Sequence, residues 1–214
     1  PLSKVIDLSR WKLIIGGSAL SQAQARAALA RGIDAFTGYG MSETCPILSL
    51  AQLPTAVLAD GPDAQAALRA KTGTPLPLVD LRVVDDQLAQ QPRDGRSVGE
   101  VVVRSPWLTQ GYLHDPAASE ALWQGGVLHT GDIGHLDGAG WLQITDRLKD
   151  VIKTGGEWTS SLQIEDVVAQ HPAVAEVAVI GVPDEKWGER PLARVTLKPS
   201  SVGQVSEHEI RNFS

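Results

Sequence analysis

A short loop that carries glycine, hydroxyl and carboxylate groups is the first candidate for chemistry. Residues 38–44 read Gly-Tyr-Gly-Met-Ser-Glu-Thr, directly after a predicted strand. Glycine lets the backbone approach a ligand closely, so backbone N–H groups and Ser42 can hold a phosphate while Glu43 binds Mg²⁺. The alternative is a plain strand-to-helix turn with Ser42 as the N-cap. The segment also matches half of a dinucleotide-binding glycine pattern, with Glu43 in place of the last glycine.

A second segment, His129-Thr130-Gly131-Asp132, places one carboxylate behind a glycine. The carboxylate of Asp132 can accept hydrogen bonds from both hydroxyls of a ribose. An aspartate that caps its own turn gives the same pattern, and this segment alone does not decide between the two. His129 and His135 lie on either side, but their spacing is not that of metal ligands, which favours ordinary polar surface.

The third segment, residues 146–158, alternates charged and apolar residues and includes the double glycine Gly155-Gly156. One interpretation is an exposed edge strand and hairpin whose charges are solvated. The other is a hinge between domains that delivers a lysine and an arginine to a nucleotide. Spacing does not choose between these interpretations.

The elements that must position the first loop follow a strand–helix–strand order. Residues 13–15 predict a short strand, and residues 33–36 predict a second one. Between them, Ser21 and Gln24 have the spacing of a capping box before an alanine-rich helix. This order predicts a parallel sheet.

The rest of the chain changes character twice. Valine- and leucine-rich runs at 78–84, 98–104 and 141–145 predict a small antiparallel sheet or barrel. Further on, Ser160 and Gln163 form a second capping-box pair before a helix, with Ile164, Val167 and Val168 along one face. A buried strand is predicted at 177–182, another strand at 192–197 and a final helix at 206–213. That helix has little to pack on, so we expect the last domain to be cut short.

Composition excludes several classes of protein. The 214 residues include 19 Lys and Arg against 25 Asp and Glu, a net charge of −6, which argues against a nucleic-acid-binding surface. No apolar run approaches the roughly 18 residues of a membrane-spanning helix, so we predict no integral membrane segment. The single cysteine, Cys45, excludes an internal disulfide. Because the chain begins at Pro1 and its one methionine is Met41, we expect an excised piece.

In this order, the three segments resemble the adenylate-forming superfamily of acyl-CoA synthetases, luciferases and peptide-synthetase adenylation domains. Residues 38–44 match its Tyr-Gly-x-Ser/Thr-Glu motif and residues 130–132 its Thr-Gly-Asp motif. Residues 147–156 match its hinge motif, and residues 99–113, which end in Gly-Tyr-Leu, match a further one. Gly16-Gly17-Ser18 resembles a Gly-Gly-Ala element that lines the acyl and adenine site. Residues 153–158 look most like those of medium- and long-chain fatty acyl-CoA ligases.

The resemblance implies a two-step reaction. A fatty acid or related carboxylic acid attacks ATP to give an acyl-adenylate and pyrophosphate, and the thiol of coenzyme A then displaces AMP. The first step is an in-line substitution at phosphorus, for which Mg²⁺ is expected. The family's upstream phosphate loop and its late catalytic lysine find no match here, so we expect this piece alone to be inactive.

The resemblance also implies roles for individual residues. For the nucleotide, Ser42 would hold the α-phosphate, Glu43 would bind Mg²⁺ and Tyr39 would pack on the adenine. Asp132 and Arg147 would reach the ribose, since an arginine stays charged and offers several donors. The remaining nucleotide-site residues are Gly16, Gly17, Ser18, Gly38, Gly40 and Met41.

The same resemblance implies a separate group for the thioester step. Lys149 sits at the hinge position, about which a small C-terminal domain is expected to rotate between the two half-reactions. Gly155 and Gly156 would lie along the pantetheine channel, with Trp158 near it. Lys153 would assist thioester formation as a catalytic residue.

The implied fold class combines α/β and α+β domains. Residues 1–70 would end a large parallel-sheet α/β domain, residues 71–146 would form a small β-barrel subdomain, and residues 147–214 a mobile α+β lid that is incomplete. Two alternatives stay open: an enzyme that passes its acyl group to a carrier-protein thiol, and a non-catalytic nucleotide-binding or interaction module. A cytoplasmic location is expected, with peripheral membrane association and a homodimer left open.

Overall fold

The computed structural model describes residues 7–213, except the side chains of residues 157 and 166. Residues 1–6 of the predicted first domain and residue 214 of the predicted last one lie outside the described residues. The strands are β1 (Lys12–Ile15), β2 (Asp34–Tyr39), β3 (Ser49–Leu50), β4 (Thr74–Pro75), β5 (Asp80–Val84), β6 (Gly99–Arg104), β7 (Leu128–Leu136), β8 (Leu142–Arg147), β9 (Ile152–Thr154), β10 (Glu157–Thr159), β11 (Val174–Asp184) and β12 (Gly188–Leu197). The helices are α1 (Gln22–Leu29), α2 (Pro62–Arg69), α3 (Pro116–Leu122), α4 (Ser161–Ala169) and α5 (Glu207–Phe213).

The predicted strand–helix–strand unit is present. Strands β1 and β2 pair in parallel, with Ile15 opposite Thr37. Helix α1 begins after Ser21, and the capping box with Gln24 has both of its hydrogen bonds. Strand β2 continues past the predicted end to Tyr39, and β3 and β4 extend the sheet in antiparallel fashion. The first residues of the glycine loop therefore belong to the sheet.

The middle of the chain forms an open sheet in the order β5-β6-β7-β8. The apolar side chains that pack with it are buried as one cluster of Leu48, Leu81, Val83, Val101, Val103, Leu122, Leu128, Leu136 and Leu142. The prediction of a small antiparallel sheet is met, and among the described residues no closed barrel is seen, so the β-barrel subdomain stays a prediction. Only four strands join this sheet, and the neighbouring strand β4 pairs with β3 instead.

The chain divides into two compact units by its internal contacts. Unit 1 comprises residues 1–130 and 134–144, and unit 2 comprises residues 131–133 and 145–214. The domain boundaries drawn from the sequence at about residues 70 and 146 stay predictions.

Unit 2 contains a sheet in the order β10-β9-β12-β11, with α4 packed on β11. The prediction of a buried strand at 177–182 is wrong, because Val179 is its only buried residue and Ile180 is 59% exposed. Val167, predicted to face the core with Ile164 and Val168, is also exposed. Strands β11 and β12 form a long two-stranded ribbon, and a two-stranded ribbon has too few neighbours to bury both faces.

Candidate functional site

In unit 1, the loop after β2 is fastened by one buried hydroxyl. Glu43 lies in a short 3-10 helix, Ser42–Thr44, and the Thr44 side chain is fully buried. Thr44 Oγ1 accepts a hydrogen bond from the Met41 N–H at 2.9 Å. Its own hydrogen faces the carbonyl oxygens of Met41 and Pro46, at 2.9 and 3.0 Å. The alternative of Ser42 as the N-cap of a helix is wrong, because the N-cap is Met41 and the 3-10 helix has only three residues.

Two glycines permit close packing around this loop. A Cβ atom on Gly40 would lie 1.7 Å from the Pro46 carbonyl oxygen, and one on Gly38 would lie 2.5 Å from Ile14 Cγ2. A Cβ atom on Gly16, the first residue after β1, would lie 3.4 Å from the Gly38 carbonyl oxygen. Parallel strands end at the same edge of a sheet, where α/β proteins bind ligands. The structure thus brings exposed Gly16, Gly17 and Ser18 beside the loop that carries Glu43.

The side chains of this edge differ in how firmly they are held. The Tyr39 ring is partly buried against the leucine and valine cluster, whereas Ser42 is exposed. Glu43 Oε1 accepts a hydrogen bond from Tyr112 Oη at 2.7 Å, and the Glu43 carbonyl oxygen accepts one from the Thr109 N–H at 2.9 Å. The hydrogen bond to Glu43 raises the pKa of Tyr112, with burial and the charges of Glu43 and Asp115 adding to the effect.

In unit 2, a buried carboxylate meets an exposed guanidinium. Asp132 lies within β7 and is only 4% exposed, so the alternative of an aspartate that caps its own turn is wrong. Its Oδ1 lies 2.8 Å from Nε of Arg147, the last residue of β8, whose side chain is 58% exposed. The preceding Gly131 has a φ of +66°, and its carbonyl oxygen accepts a hydrogen bond from the Leu148 N–H. Asp132 can offer charged acceptor oxygens to a ligand, and Arg147 can offer charged N–H donors beside them.

The double glycine of unit 2 forms a tight hairpin between β9 and β10. Gly155 and Gly156 have φ values of +62° and +88°, which a two-residue type I′ turn requires at both positions. Lys153 and Trp158 are opposite each other in the ladder, and the ammonium lies 4.7 Å from the centroid of the indole ring. The predicted hairpin and edge strand are therefore present, but Asp146 is buried rather than solvated, and the alternative of a hinge between domains stays a prediction. Lys149 is exposed in the turn between β8 and β9, and its role as a hinge stays a prediction.

Strand β12 and the turn before it hold this hairpin from the other side. The Lys153 N–H donates to Glu189 Oε2 at 2.9 Å, and the Gly155 N–H donates to the Trp187 carbonyl oxygen at 2.8 Å. A Cβ atom on Gly156 would contact nothing within 4 Å. The turn of the glycine hairpin is thus held at Gly155, which lies against Trp187, and open beside Gly156.

Sequence reasoning assigned no role to four residues that shape these sites: Thr44, Tyr112, Asp146 and Glu189. Asp146 is buried, and its Oδ2 accepts hydrogen bonds from Ser160 Oγ and from the N–H and hydroxyl of Ser161. It thereby fixes the start of α4 beside Arg147. Tyr112 lies in a recognised motif, which was a usable signal, but nothing in the sequence pairs it with Glu43.

His129 is another correction. The expectation of ordinary polar surface is wrong, because its side chain is 17% exposed and both ring nitrogens have partners. Nδ1 lies 2.8 Å from Glu100 Oε2, and Nε2 lies 3.0 Å from the Gln124 carbonyl oxygen. Burial lowers the pKa of His135, and the charge of Lys71 lowers it further.

A divalent cation fits the edge that carries Glu43. Mg²⁺ commonly binds one or two carboxylates together with substrate phosphates and waters, so a single glutamate beside exposed backbone is an adequate protein contribution. Across the part of the chain that the structure describes, no group of three or more His, Cys, Asp or Glu side chains is arranged to hold a metal by itself. None of the helices within residues 7–213 is long and apolar enough to cross a membrane.

These features define a protein of mixed α/β fold with several sheets. Residues 2–113 match the family model described as AMP-binding enzyme, and residues 163–214 match that of the AMP-binding enzyme C-terminal domain. The chain therefore belongs to the AMP-binding enzyme family, within the adenylate-forming superfamily.

Curated relatives and solved structures agree with this assignment. The chain is 41% identical over 204 residues to a long-chain-fatty-acid–CoA ligase of Thermus thermophilus, covering 94% of this chain and 38% of that protein. It is 35% identical over 208 residues to a medium-chain-fatty-acid–CoA ligase of Ectopseudomonas oleovorans, covering 96% and 37%. The o-succinylbenzoate CoA synthetase of Bacillus subtilis, solved with an acyl-adenylate intermediate, superposes with a TM-score of 0.71 at 30% identity, covering 94% and 38%. The chain thus spans under two-fifths of the length of these proteins.

Proposed function

We propose that this chain is the nucleotide- and thioester-handling part of an ATP-dependent ligase that joins a medium- or long-chain fatty acid to coenzyme A. The observation that carries the proposal is the edge where Gly16–Ser18 and the loop of Glu43 meet after two parallel strands. Similarity to fatty-acid–CoA ligases supplies the substrate class.

In the adenylation step, these residues bind and orient the nucleotide. Ser42 and the backbone of the loop would hold the α-phosphate, and Tyr39 would pack on the adenine. Glu43 would hold Mg²⁺, which neutralises charge on the phosphates when bound. Asp132, with Arg147 beside it, would bind the ribose hydroxyls. Positioning and charge neutralisation then account for most of the rate increase.

In the thioester step, the glycine hairpin would line the path of the pantetheine. The free space around Gly156 supports this role, since any side chain there would narrow the path. Lys153 would assist attack by the thiol, with Trp158 beside it. Lys149 would act as the hinge between the two half-reactions. An enzyme that passes the acyl group to a carrier-protein thiol would use the same first step.

The decisive assay is AMP release from ATP by the longest natural protein that includes this chain. Fatty acids of graded length are tested with and without coenzyme A. We expect turnover that requires coenzyme A and is highest at one chain length. Adenylate formation that ignores coenzyme A would favour the carrier-protein acceptor, and an absence of any dependence on fatty acid would overturn the substrate class.

A binding measurement tests the nucleotide site separately. We expect Asp132→Ala to weaken AMP binding by about tenfold, because the ribose loses a charged acceptor and Arg147 loses its partner. Asp60→Ala is the matched control, since Asp60 is exposed and belongs to none of the motifs. Unchanged AMP affinity in Asp132→Ala would remove Asp132 from the site.

A further inference from the structure

A segment outside the glycine loop contacts Glu43 at two points. Tyr112 Oη donates a hydrogen bond to the carboxylate, and the Thr109 N–H donates one to the Glu43 main-chain carbonyl, at 2.7 and 2.9 Å. Tyr112 is 69 residues from Glu43 along the chain, so only the folded structure brings the two together. One contact fixes the backbone of Glu43 and the other fixes its side chain.

The contacting segment is itself held in place. The Tyr112 N–H donates to Ser119 Oγ at 2.8 Å, and Ser119 Oγ donates to the Asp115 carbonyl oxygen at 2.6 Å. Trp123 Nε1 donates to the Thr109 carbonyl oxygen at 3.1 Å, from a ring packed on the leucine and valine cluster. The phenol of Tyr112 therefore approaches Glu43 from an anchored backbone, although the ring itself is 42% exposed.

We propose that Tyr112 is a positioning residue that orients the Glu43 carboxylate toward a nucleotide-bound divalent cation. The inference rests on the proposed function in one respect, which is that Glu43 binds this cation. A glutamate side chain has rotamer freedom that metal binding must restrict, and a hydrogen bond to one oxygen restricts it beforehand. A phenol suits this role because it is a neutral donor. A lysine or arginine in its place would neutralise the charge that attracts the cation.

The test is a double-mutant cycle measured on binding with the longest natural protein that includes this chain. Wild type, Tyr112→Phe, Glu43→Gln and the double variant are titrated calorimetrically with ATP in the presence of Mg²⁺, and again with ATP and a chelator. Tyr112→Phe removes only the hydroxyl, so the ring and its packing stay. Glu120→Gln, an exposed carboxylate on the helix that follows, is the control.

We expect Tyr112→Phe to raise the Kd for Mg²⁺–ATP about fivefold, the scale of one ordinary hydrogen bond, because the tyrosine acts on binding only through the orientation of Glu43. The Kd for ATP with chelator should change less than about twofold, because the oriented carboxylate then has no cation to bind. In the Glu43→Gln background, the same substitution should have almost no further effect, since coupled residues are not additive.

Either of two results from the variants would overturn the inference: equal Mg²⁺–ATP affinity for wild type and Tyr112→Phe, or an equal loss from Tyr112→Phe in the wild-type and Glu43→Gln backgrounds. A wild type that binds Mg²⁺–ATP no better than metal-free ATP would overturn it as well. Failure of the proposed function is recognised separately. In that case the wild type binds Mg²⁺–ATP but forms no acyl-adenylate with any acid, and the binding cycle still decides whether Tyr112 positions Glu43.

Discussion

Two glycine-containing segments of this chain are held in opposite ways. The Glu43 loop, residues 38–48, is packed closely at two points: a Cβ atom on its Gly40 would clash with the Pro46 carbonyl, and its Thr44 is fully buried. The glycine hairpin, residues 152–159, is held along one side, where Gly188 pairs with Thr154 and the Gly155 N–H donates to the Trp187 carbonyl oxygen. At its tip, a Cβ atom on Gly156 would meet nothing.

Glycine is needed in the two segments for different reasons. In the Glu43 loop, glycine is needed because neighbouring backbone occupies the place of a side chain. In the glycine hairpin, glycine is needed because both turn residues have positive φ. The first segment is built to hold a charged group still. The second leaves free space beside Gly156.

The largest expected effect is a difference between two glycine substitutions. Gly40→Ala would force a Cβ atom to 1.7 Å from the Pro46 oxygen, so the loop must move, and we expect a loss of about 3 kcal/mol or more in the free energy of unfolding. Gly156→Ala has space and suffers only the strain of a left-handed residue, about 1–2 kcal/mol. Denaturation by urea, followed by tryptophan fluorescence, measures both.

Gly138→Ala is the control for these two variants, because its Cβ atom would make only an ordinary contact at 3.7 Å. It should unfold at nearly the wild-type urea concentration. If Gly40→Ala and Gly156→Ala lost equal stability, the contrast between a packed loop and an open hairpin would be wrong.

A matched pair of threonines gives the next effect. Thr44 Oγ1 accepts a hydrogen bond from the Met41 N–H and faces two carbonyl oxygens. Thr44→Val should therefore destabilise the protein by about 2 kcal/mol, while Thr44→Ser should keep most of the stability. Thr154 Oγ1 is also buried, but it has no hydrogen-bond partner among the described residues. Thr154→Val should therefore be neutral or slightly stabilising. The free energies of unfolding of both valine variants are measured in parallel. An equal loss of stability in Thr44→Val and Thr154→Val would contradict this prediction.

Local sequence patterns predicted the elements around both segments well. The capping box of Ser21 and Gln24 and the double-glycine turn each need only residues close in sequence, and both are present. The parallel pairing of β1 and β2 also followed from the order of elements. Strand β7 was missed, because its glycines and its polar residues, Asp132 among them, hide the apolar alternation.

Side-chain contacts between residues on different elements could not be predicted from the sequence alone. The hydrogen bond from Tyr112 to Glu43 and the pairing of Asp132 with Arg147 depend on how separate elements come together. Residue types do not encode those distances. The same limit explains why the sequence could not decide between a sheet and a barrel, and why the strand at 177–182 was wrongly predicted to be buried. A run of apolar residues does not reveal whether a sheet closes or which of its faces is covered.

The smallest expected effect concerns the base of the glycine hairpin. Glu189 Oε2 accepts the Lys153 N–H, so Glu189→Ala frees the strand that carries Lys153. If the hairpin serves the thioester step, we expect thioester formation from preformed acyl-adenylate to slow about threefold in single-turnover measurements, the scale of one lost hydrogen bond, with adenylation unchanged. Glu189→Gln retains an acceptor oxygen and should recover most of the rate, and the exposed Glu185→Ala is the control. Equal slowing of both half-reactions would mean that Glu189 serves only stability, because a positioning role in one step leaves the other unaffected.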